Sequence, residues 1–160
     1  MLELRDARPE DAPLILGFIR ELALYERAPE KVLATEEDIL RHAFSERPLI
    51  HVVMAEFDGR PAGFALYFFN FSTWEGKPGL YLEDLYVRPE FRGHGIGKAL
   101  LKRLAAIAVA EGCTRYVWQV LDWNTPSIDF YRAMGAQFMT DWLTCRVEGD
   151  ALARLAADEP

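Results

Sequence analysis

The sequence predicts one α/β domain over residues 1–160, in which helices flank a mixed sheet in the order β-αα-βββ-α-β-α-β(β). The chain has 160 residues, enough for one hydrophobic core, and 51% of them are hydrophobic. Segments rich in β-branched and aromatic residues alternate with segments of helical periodicity. No repeat, low-complexity stretch or linker interrupts this pattern. These observations together favour a single domain of helices and strands.

The first part of the chain predicts one strand and two helices. Residues 2–7 (LELRDA) have a strand-like composition, and the apolar positions of residues 8–26 recur with helical spacing. A second helix is predicted over residues 35–44 (TEEDILRHAF). Thr35 is its N-cap candidate, and Asp38 stands where the partner of a capping box is expected.

Three strands follow. Residues 49–57 (LIHVVMAEF) and 64–72 (FALYFFNFS) are rich in β-formers, and the turn residues 58–63 between them predict a hairpin. A second loop, at residues 74–79, precedes a third strand over residues 80–87 (LYLEDLYV). The long helix comes after these strands and a connecting glycine-rich loop.

The last part of the chain predicts two helices and further strands. The long helix covers residues 96–112, and its last residue, Gly112, suits the position that ends a helix. Residues 115–121 (RYVWQVL) predict a strand and residues 123–135 a short helix. One or two last strands are expected within residues 137–148 (QFMTDWLTCRVE).

Composition restricts the function classes. The net charge is −7, opposite in sign to that of a general nucleic-acid binder and compatible with cationic small substrates. No apolar run approaches the about 20 residues that span a bilayer, and the N-terminus lacks the apolar region of a secretory signal. Cys113 and Cys145 are too few and too distant to indicate a disulfide framework or a metal site. We therefore expect a cytoplasmic protein with no metal, nucleic-acid or membrane partner.

A glycine-rich loop, Arg92-Gly-His-Gly-Ile-Gly-Lys98, connects the third predicted strand to the long helix. The first N–H groups of a helix have no partner within it and carry the positive end of the helix dipole. Glycines allow a ligand to approach, and the two flanking cations add charge. The arrangement favours a phosphate or pyrophosphate ligand; the alternative is a tight turn without a ligand.

The glycine spacing excludes two common phosphate motifs. Ala99 follows Lys98 where Walker A requires Ser or Thr, and the glycines do not fit Gly-x-Gly-x-x-Gly. The pattern Arg-x-x-Gly-x-Gly is filled by Arg92, Gly95 and Gly97. This loop resembles the pyrophosphate loop of the GNAT acetyltransferase superfamily, and the order of elements is also similar to that superfamily's order.

Further segments resemble the diamine (spermidine/spermine) N-acetyltransferases, including their relatives that act on thialysine. The segments that carry the resemblance include YLEDLYVRPEFRGHGIGKALLKRLA and WNTPSIDFYRAMGA, with RELALYE and TEEDIL upstream. It extends to about residue 136. The resemblance implies a GNAT-type, mostly antiparallel sheet, acetyl-CoA as co-substrate and a homodimer.

The same resemblance implies which residues contact acetyl-CoA. The strand before the loop would offer its backbone to the pantetheine arm, the loop would hold the pyrophosphate, and the short helix would contact the cofactor from the opposite side. These residues are Leu85, Tyr86, Val87, Arg92, Gly93, His94, Gly95, Ile96, Gly97, Lys98, Asn124, Ser127 and Tyr131. For Asn124 and Ser127, helix capping before Pro126 is the alternative.

Two catalytic residues are implied by the resemblance. Tyr131 would be the general acid that protonates the CoA thiolate; the alternative is a half-buried aromatic. Glu83 would accept a proton from the substrate ammonium and contact the substrate, with Asp84 as a second anion. Strand alternation is expected to place these two carboxylates on opposite faces, so at least one of them could simply be solvated.

Three further residues are candidates for binding the amine. Glu26 matches a position that helps to bind the polyamine, and its alternative is a solvated carboxylate at a helix end. Trp118 belongs to the strand that should flank the acceptor groove, where ordinary sheet packing is the better interpretation. Asp141 lies in a segment shorter than that of the family, so it is either a replacement acid or a surface residue.

We therefore expect an acetyl-CoA-dependent N-acetyltransferase that acts on a polyamine, diamine or lysine-like amine by direct attack in a ternary complex. A covalent enzyme intermediate is not expected, because neither cysteine has a recognisable base as its partner. Two alternatives stay open. The acceptor could be another amino acid, a protein lysine or an N-terminus, or the chain could be a binding module for acyl-CoA without turnover.

Overall fold

A five-stranded sheet is the centre of this computed structural model, which describes residues 1–157. The strands are β1 (Leu2–Asp6), β2 (His51–Phe57), β3 (Arg60–Ser72), β4 (Lys77–Val87) and β5 (Arg115–Val117). They lie side by side in chain order; β1 to β4 are antiparallel to their neighbours, and β5 is parallel to β4. The prediction of a mixed, mostly antiparallel sheet is confirmed.

The helices are α1 (Ala12–Tyr25), α2 (Glu36–Ala43), α3 (Ile96–Ala110), α4 (Thr125–Ala133) and α5 (Asp150–Ala156), and short 3-10 helices cover Pro9–Asp11, Pro29–Lys31 and Pro89–Phe91. The predicted capping box of α2 is confirmed. Thr35 Oγ1 accepts a hydrogen bond from the Asp38 N–H at 3.2 Å, and Asp38 Oδ2 accepts one from the Thr35 N–H at 2.9 Å. Two donors at the start of this helix are thereby satisfied.

The chain divides into two compact units, Met1–Leu121 and Asp122–Pro160. The first unit contains the whole sheet together with α1, α2 and α3, and the second contains α4 and α5. The single domain expected over residues 1–160 therefore stays a prediction.

Apolar side chains cover both faces of the sheet. On one face, Phe18 of α1 stacks on Phe64 of β3 with ring centroids 5.4 Å apart, inside a cluster that also includes side chains of α2, β2 and β4. Alternation along the strands points the buried Val53 and Ala65 to the other face. There α3 packs against β2, β3 and β4, and its Leu100 is fully buried.

The prediction of one or two strands within residues 137–148 is wrong. The described structure has no strand in this segment, and the chain goes on to α5. The backbone in this segment makes local bonds, from the Thr140 N–H to the Phe138 carbonyl and from the Trp142 N–H to the Met139 carbonyl. The strand predicted over 115–121 is also shorter, since β5 ends at Val117. Strand composition reflects packing on neighbouring strands, so composition alone does not make a strand where a segment bonds to itself.

Candidate active site

The glycine loop enters α3 through two left-handed residues. Gly93 and Gly95 have φ values of +83° and +76°, a conformation that other residues adopt only with strain, and Gly95 is the N-cap of α3. A Cβ added at either glycine would meet nothing within 4 Å. These glycines therefore bend the chain and leave open space beside the start of the helix.

The first turn of α3 can bind an anion. The earliest bond is donated by the Ala99 N–H to the Gly95 carbonyl at 2.9 Å, so the N–H groups of Ile96, Gly97 and Lys98 have no partner within the helix. Gly95 supplies no side-chain cap. The dipole of this 15-residue helix adds positive potential at the same place. The structure thus fits the predicted phosphate cradle.

The side chain of Arg92 stabilises the start of the loop through contacts with neighbouring elements. Arg92 Nε donates to the carbonyl of Val87 at 3.0 Å, and the guanidinium centre lies 5.3 Å from the ring centroid of Tyr25 and 5.9 Å from that of Tyr86. Arg92 therefore connects the start of the loop to the ends of β4 and α1, while its charge stays beside the cradle.

The ring of His94 also stabilises the loop. Its Nδ1 lies 3.1 Å from the carbonyl oxygen of Phe91, so the tautomer with a proton on Nδ1 donates a hydrogen bond there. The ring also packs 4.7 Å from the ring of Phe57. The contacts of the His94 ring are therefore structural, and the backbone of His94 is the part that remains for a ligand.

The backbone of β4 has an open edge. This strand pairs with β3 along its length, whereas its pairing with β5 covers only Gly79–Tyr81. Within residues 1–157, positions 82–87 have no strand partner on the β5 side. The predicted pantetheine contacts, Leu85, Tyr86 and Val87, belong to this edge. Because Tyr86 buries its side chain in the core, its backbone is the part that remains for a ligand.

A β-bulge interrupts β4 at Glu83. Leu66 of β3 is opposite Asp84, and the next residue, Tyr67, is opposite Leu82, so Glu83 has no counterpart on β3. Glu83 is exposed and Asp84 is half-buried. The strict alternation from which opposite faces were predicted is broken at this point, since a bulge redirects the side chain of its extra residue.

Glu26, Glu83 and Asp84 form what we call the acid cluster. The pKa of Asp84 is raised to about 7, mainly by burial and also by repulsion from the charges of Glu83 and Glu26. Desolvation and the charge of Glu83 also raise the pKa of Glu26, which is otherwise an exposed residue at the C-cap of α1. The three carboxylates predicted to meet the substrate therefore do act on one another, and a bound ammonium would relieve their repulsion.

Two predicted cofactor contacts lie at the start of α4, in the second unit. Asn124 is buried at the N-cap position of α4, and its backbone carbonyl accepts a bond from the Ile128 N–H at 3.0 Å. Its side chain makes no capping hydrogen bond, so the capping alternative is wrong for that side chain. Ser127 is half-buried in the first turn of the same helix.

The other predicted residues lie in different surroundings. Tyr131 of α4 is half-buried, with its ring 5.6 Å from that of Phe130. Asp141 lies in an exposed turn of the second unit. Trp118 follows the end of β5, and its ring lies 4.9 Å from that of Tyr116, which fits the interpretation as packing. Pairing of Tyr131 with Glu83 would join the two units and stays a prediction.

Arg88, which no sequence motif indicated, connects the end of β4 to α1. Its Nη2 lies 2.8 Å from Glu21 Oε1, and its guanidinium centre lies 4.8 Å from the ring centroid of Phe18. The sequence signal that could have indicated this pair is a basic residue directly after a predicted strand, Arg88, and an acidic residue on a largely apolar helix, Glu21. Arg88 thereby stabilises the place where β4 leads into the glycine loop.

No group of three His, Cys, Asp or Glu residues in the described part of the chain could hold a metal ion. None of the helices described is long and apolar enough to cross a membrane.

Comparisons with known proteins point to one family. The family model described as "Acetyltransferase (GNAT) family" matches residues 17–136. The chain is 41% identical to thialysine N-epsilon-acetyltransferase of Bos taurus, over 96% of each protein. It is 35% identical to spermidine/spermine N(1)-acetyltransferase-like protein 1 of Homo sapiens, over 98% of this chain but 24% of that longer protein. Among solved structures, an integron cassette protein from the mobile metagenome of V. cholerae matches with a TM-score of 0.81 and 30% identity, over 97% of both chains.

Proposed function

This chain belongs to the acetyltransferase (GNAT) family and is an acetyltransferase enzyme, and on that premise we propose that it transfers the acetyl group of acetyl-CoA to a small primary amine. The acceptor is a polyamine, diamine or lysine-like amine. The observation that carries this choice is the acid cluster, which offers carboxylates to a cation in the same unit as the phosphate cradle. The names of the thialysine and spermidine/spermine relatives support the same acceptor class.

Acetyl-CoA fits the residues present as a co-substrate. The open space at Gly93 and Gly95 and the first N–H groups of α3 suit its pyrophosphate. The unpaired edge of β4 suits the amide groups of its pantetheine arm, which can bind as an added strand does. Asn124, Ser127 and Tyr131 complete the proposed contacts from the second unit.

Glu83 is the proposed base. An alkylammonium has a pKa of about 10.4 and must lose a proton before its nitrogen can attack. Glu83 accepts that proton, directly or through water, and the nitrogen then forms a bond to the thioester carbon. Asp84 and Glu26 hold the cation beforehand. Asp84 is itself near the ionisation point at neutral pH, a property that also suits proton exchange.

Tyr131 is the proposed acid. As the carbon–sulfur bond breaks, the electron pair stays on sulfur and leaves a CoA thiolate. The Tyr131 hydroxyl donates its proton to that sulfur, so the products are the acetylated amine and CoA thiol. The acetylated nitrogen releases its extra proton to solvent as the amide forms, and the phenolate regains a proton from solvent. Neither Cys113 nor Cys145 enters the step, and both are free thiols.

The test is thiol release from acetyl-CoA with a panel containing thialysine, lysine, spermidine and putrescine. We expect turnover with at least one of these amines. Glu83→Gln should lower turnover and change its pH profile, whereas the matched control Glu46→Gln, at an exposed residue far from the acid cluster in sequence, should not. Tight CoA binding without turnover of any amine would instead identify a non-catalytic acyl-CoA-binding module.

A cytoplasmic homodimer is also part of the proposal, with no nucleic-acid or membrane partner. The net charge of −7 and the two free cysteines support the location and the lack of nucleic acid. Phe71 and Trp74, which are 64% and 83% exposed near the β3–β4 turn, support a protein interface. Sedimentation of the wild type and of the Trp74→Ser variant tests this dimer. We expect the wild type to sediment as a dimer and the Trp74→Ser variant to shift toward the monomer.

A further inference from the structure

A small cavity opens at the β1–β2 edge of the sheet. Its volume is about 210 Å³, and it is lined by the end of β1, the last turn of α2 with the residue after it, the start of β2 and the middle of β3. The side chains that matter here are Asp6, Phe44, His51, Val52 and Tyr67. We call this space the edge cavity. It is separate from the acid cluster, because Tyr67 faces the side of the sheet where Arg103 of α3 and Glu111 after it act on it. Asp84, opposite Leu66, is instead acted on by Glu26 at the end of α1.

Tyr67 brings an unused hydroxyl to the edge cavity. The residue is only 7% exposed, and its hydroxyl makes no hydrogen bond to any residue within 1–157. No fully buried side-chain oxygen or nitrogen in the described part lacks a partner, so this hydroxyl must reach an open space. The edge cavity, which Tyr67 lines, supplies that space. A hydroxyl that opens into a cavity and has no protein partner has hydrogen-bonding capacity for a ligand.

The rings around Tyr67 hold it in one orientation. The ring of His51 stacks on that of Tyr67 with centroids 5.2 Å apart, and Phe69 meets both rings edge-on, at 5.6 Å from His51 and 5.8 Å from Tyr67. Such packing leaves the Tyr67 side chain little freedom to turn its hydroxyl elsewhere. The hydroxyl is thus positioned before any ligand arrives, which lowers the entropy cost of binding.

The charge at the edge cavity is negative. Asp6 is the carboxylate in its lining, and its side chain pairs with Arg103, whose Nη2 lies 3.9 Å from Asp6 Oδ1. Arg5 donates to the Asp6 backbone carbonyl at 3.3 Å, but its charge is paired with Asp11 and Glu56. Both side chains of this pair are largely exposed, at 79% and 47%, so the pair is weak and a ligand cation can compete for Asp6. Glu111 adds a second negative charge that acts on Tyr67.

From this arrangement we propose that the edge cavity binds a small organic cation, a short primary alkylammonium, as a site separate from the acid cluster. The ammonium donates hydrogen bonds to the Asp6 carboxylate and to the Tyr67 hydroxyl oxygen. The alkyl chain packs on Phe44, next to the end of α2. The volume is below the about 300 Å³ at which pockets for drug-sized ligands begin, so it selects a ligand of a few heavy atoms.

The test uses n-butylammonium chloride as the probe and ¹H–¹⁵N spectra of the full chain as the readout. We expect the amide signals of Asp6, Phe44, His51 and Tyr67 to shift with the amine concentration. Sodium butyrate, which has the opposite charge, should leave them in place, and 1-butanol should bind at least tenfold more weakly. Glu83→Gln should leave the dissociation constant at these signals unchanged, which separates this site from the proposed acetyl-transfer site.

Two variants test the two polar contacts. Tyr67→Phe keeps the ring and removes the hydroxyl, and Asp6→Asn changes an exposed residue that the fold tolerates. We expect each to weaken butylammonium binding about tenfold, the effect of one hydrogen bond to a charged group. The proposal is overturned if either variant binds as the wild type does, or if butyrate binds equally well. It is also overturned if butylammonium shifts only signals of the acid cluster.

Discussion

Replacing Asp84 with asparagine should stabilise the protein at alkaline pH. Burial and two neighbouring carboxylates raise the pKa of Asp84 from its ordinary value of 3.8 to about 7 in the folded state. A carboxyl with a raised pKa holds its proton more tightly when folded, so its cost to stability is absent below pH 3.8 and grows as the pH rises to 7. Asparagine cannot ionise and avoids this cost.

The magnitude follows from the shift of Asp84. A difference between 3.8 and about 7 corresponds, at 1.36 kcal/mol for each pKa unit, to about 4 kcal/mol at pH 8. At pH 5 the unfolded carboxyl is already ionised and the folded one is not, which leaves a cost of about 2 kcal/mol. The stability gained by Asp84→Asn should therefore be about 2–3 kcal/mol larger at pH 8 than at pH 5.

Urea unfolding followed by tryptophan fluorescence at pH 5, 6.5 and 8 measures this difference. Asp122→Asn, at an exposed aspartate, is the matched control and should change stability by a similar small amount at every pH. If Asp84→Asn gives the same change at pH 5 and pH 8, or behaves as Asp122→Asn does, the reasoning about a buried and mutually repelling acid cluster is refuted.

Four further variants test the fold and the site. Thr35→Ala should cost about 1 kcal/mol in urea unfolding, because it removes the N-cap of α2. Asp11→Asn should cost about 3 kcal/mol at pH 7, because it breaks the pair with Arg5 at 2.7 Å. Since that pair lowers the Asp11 pKa, the difference from wild type should begin to shrink as the pH falls below about 4 and disappear only below the lowered pKa of the folded state. Gly95→Ala should cost about 1–2 kcal/mol through strain at φ +76° and weaken CoA binding in calorimetry. Tyr131→Phe should lower kcat with unchanged CoA affinity, and an unchanged kcat would remove it as the acid.

The sequence was sufficient for the elements that carry strong local signals. The capping box of α2 was found because Thr35 and Asp38 satisfy donors that lie beside them in the chain. The glycine loop was found because residues with φ values such as that of Gly95 are restricted almost to glycine. Both features depend on short-range geometry, which spacing alone reveals.

Features that depend on distant partners were not predicted. The bulge at Glu83 arises from the register between β3 and β4, and the composition of β4 reads as an uninterrupted strand. The edge cavity needs Asp6, Phe44 and Tyr67 to meet from three separate elements. The strands expected within residues 137–148 failed for the same reason, because a strand requires a partner that its own composition does not specify.

The central claim is acetyl transfer to a small primary amine, and mass spectrometry of a competition reaction tests it most directly. The protein is incubated with acetyl-CoA, thialysine, spermidine and an unstructured peptide that contains lysine and a free N-terminus. We predict that an acetyl group appears on thialysine or spermidine and that the peptide stays unmodified. An acetylated peptide with both small amines unchanged, or no acetylated product at all, would contradict the account.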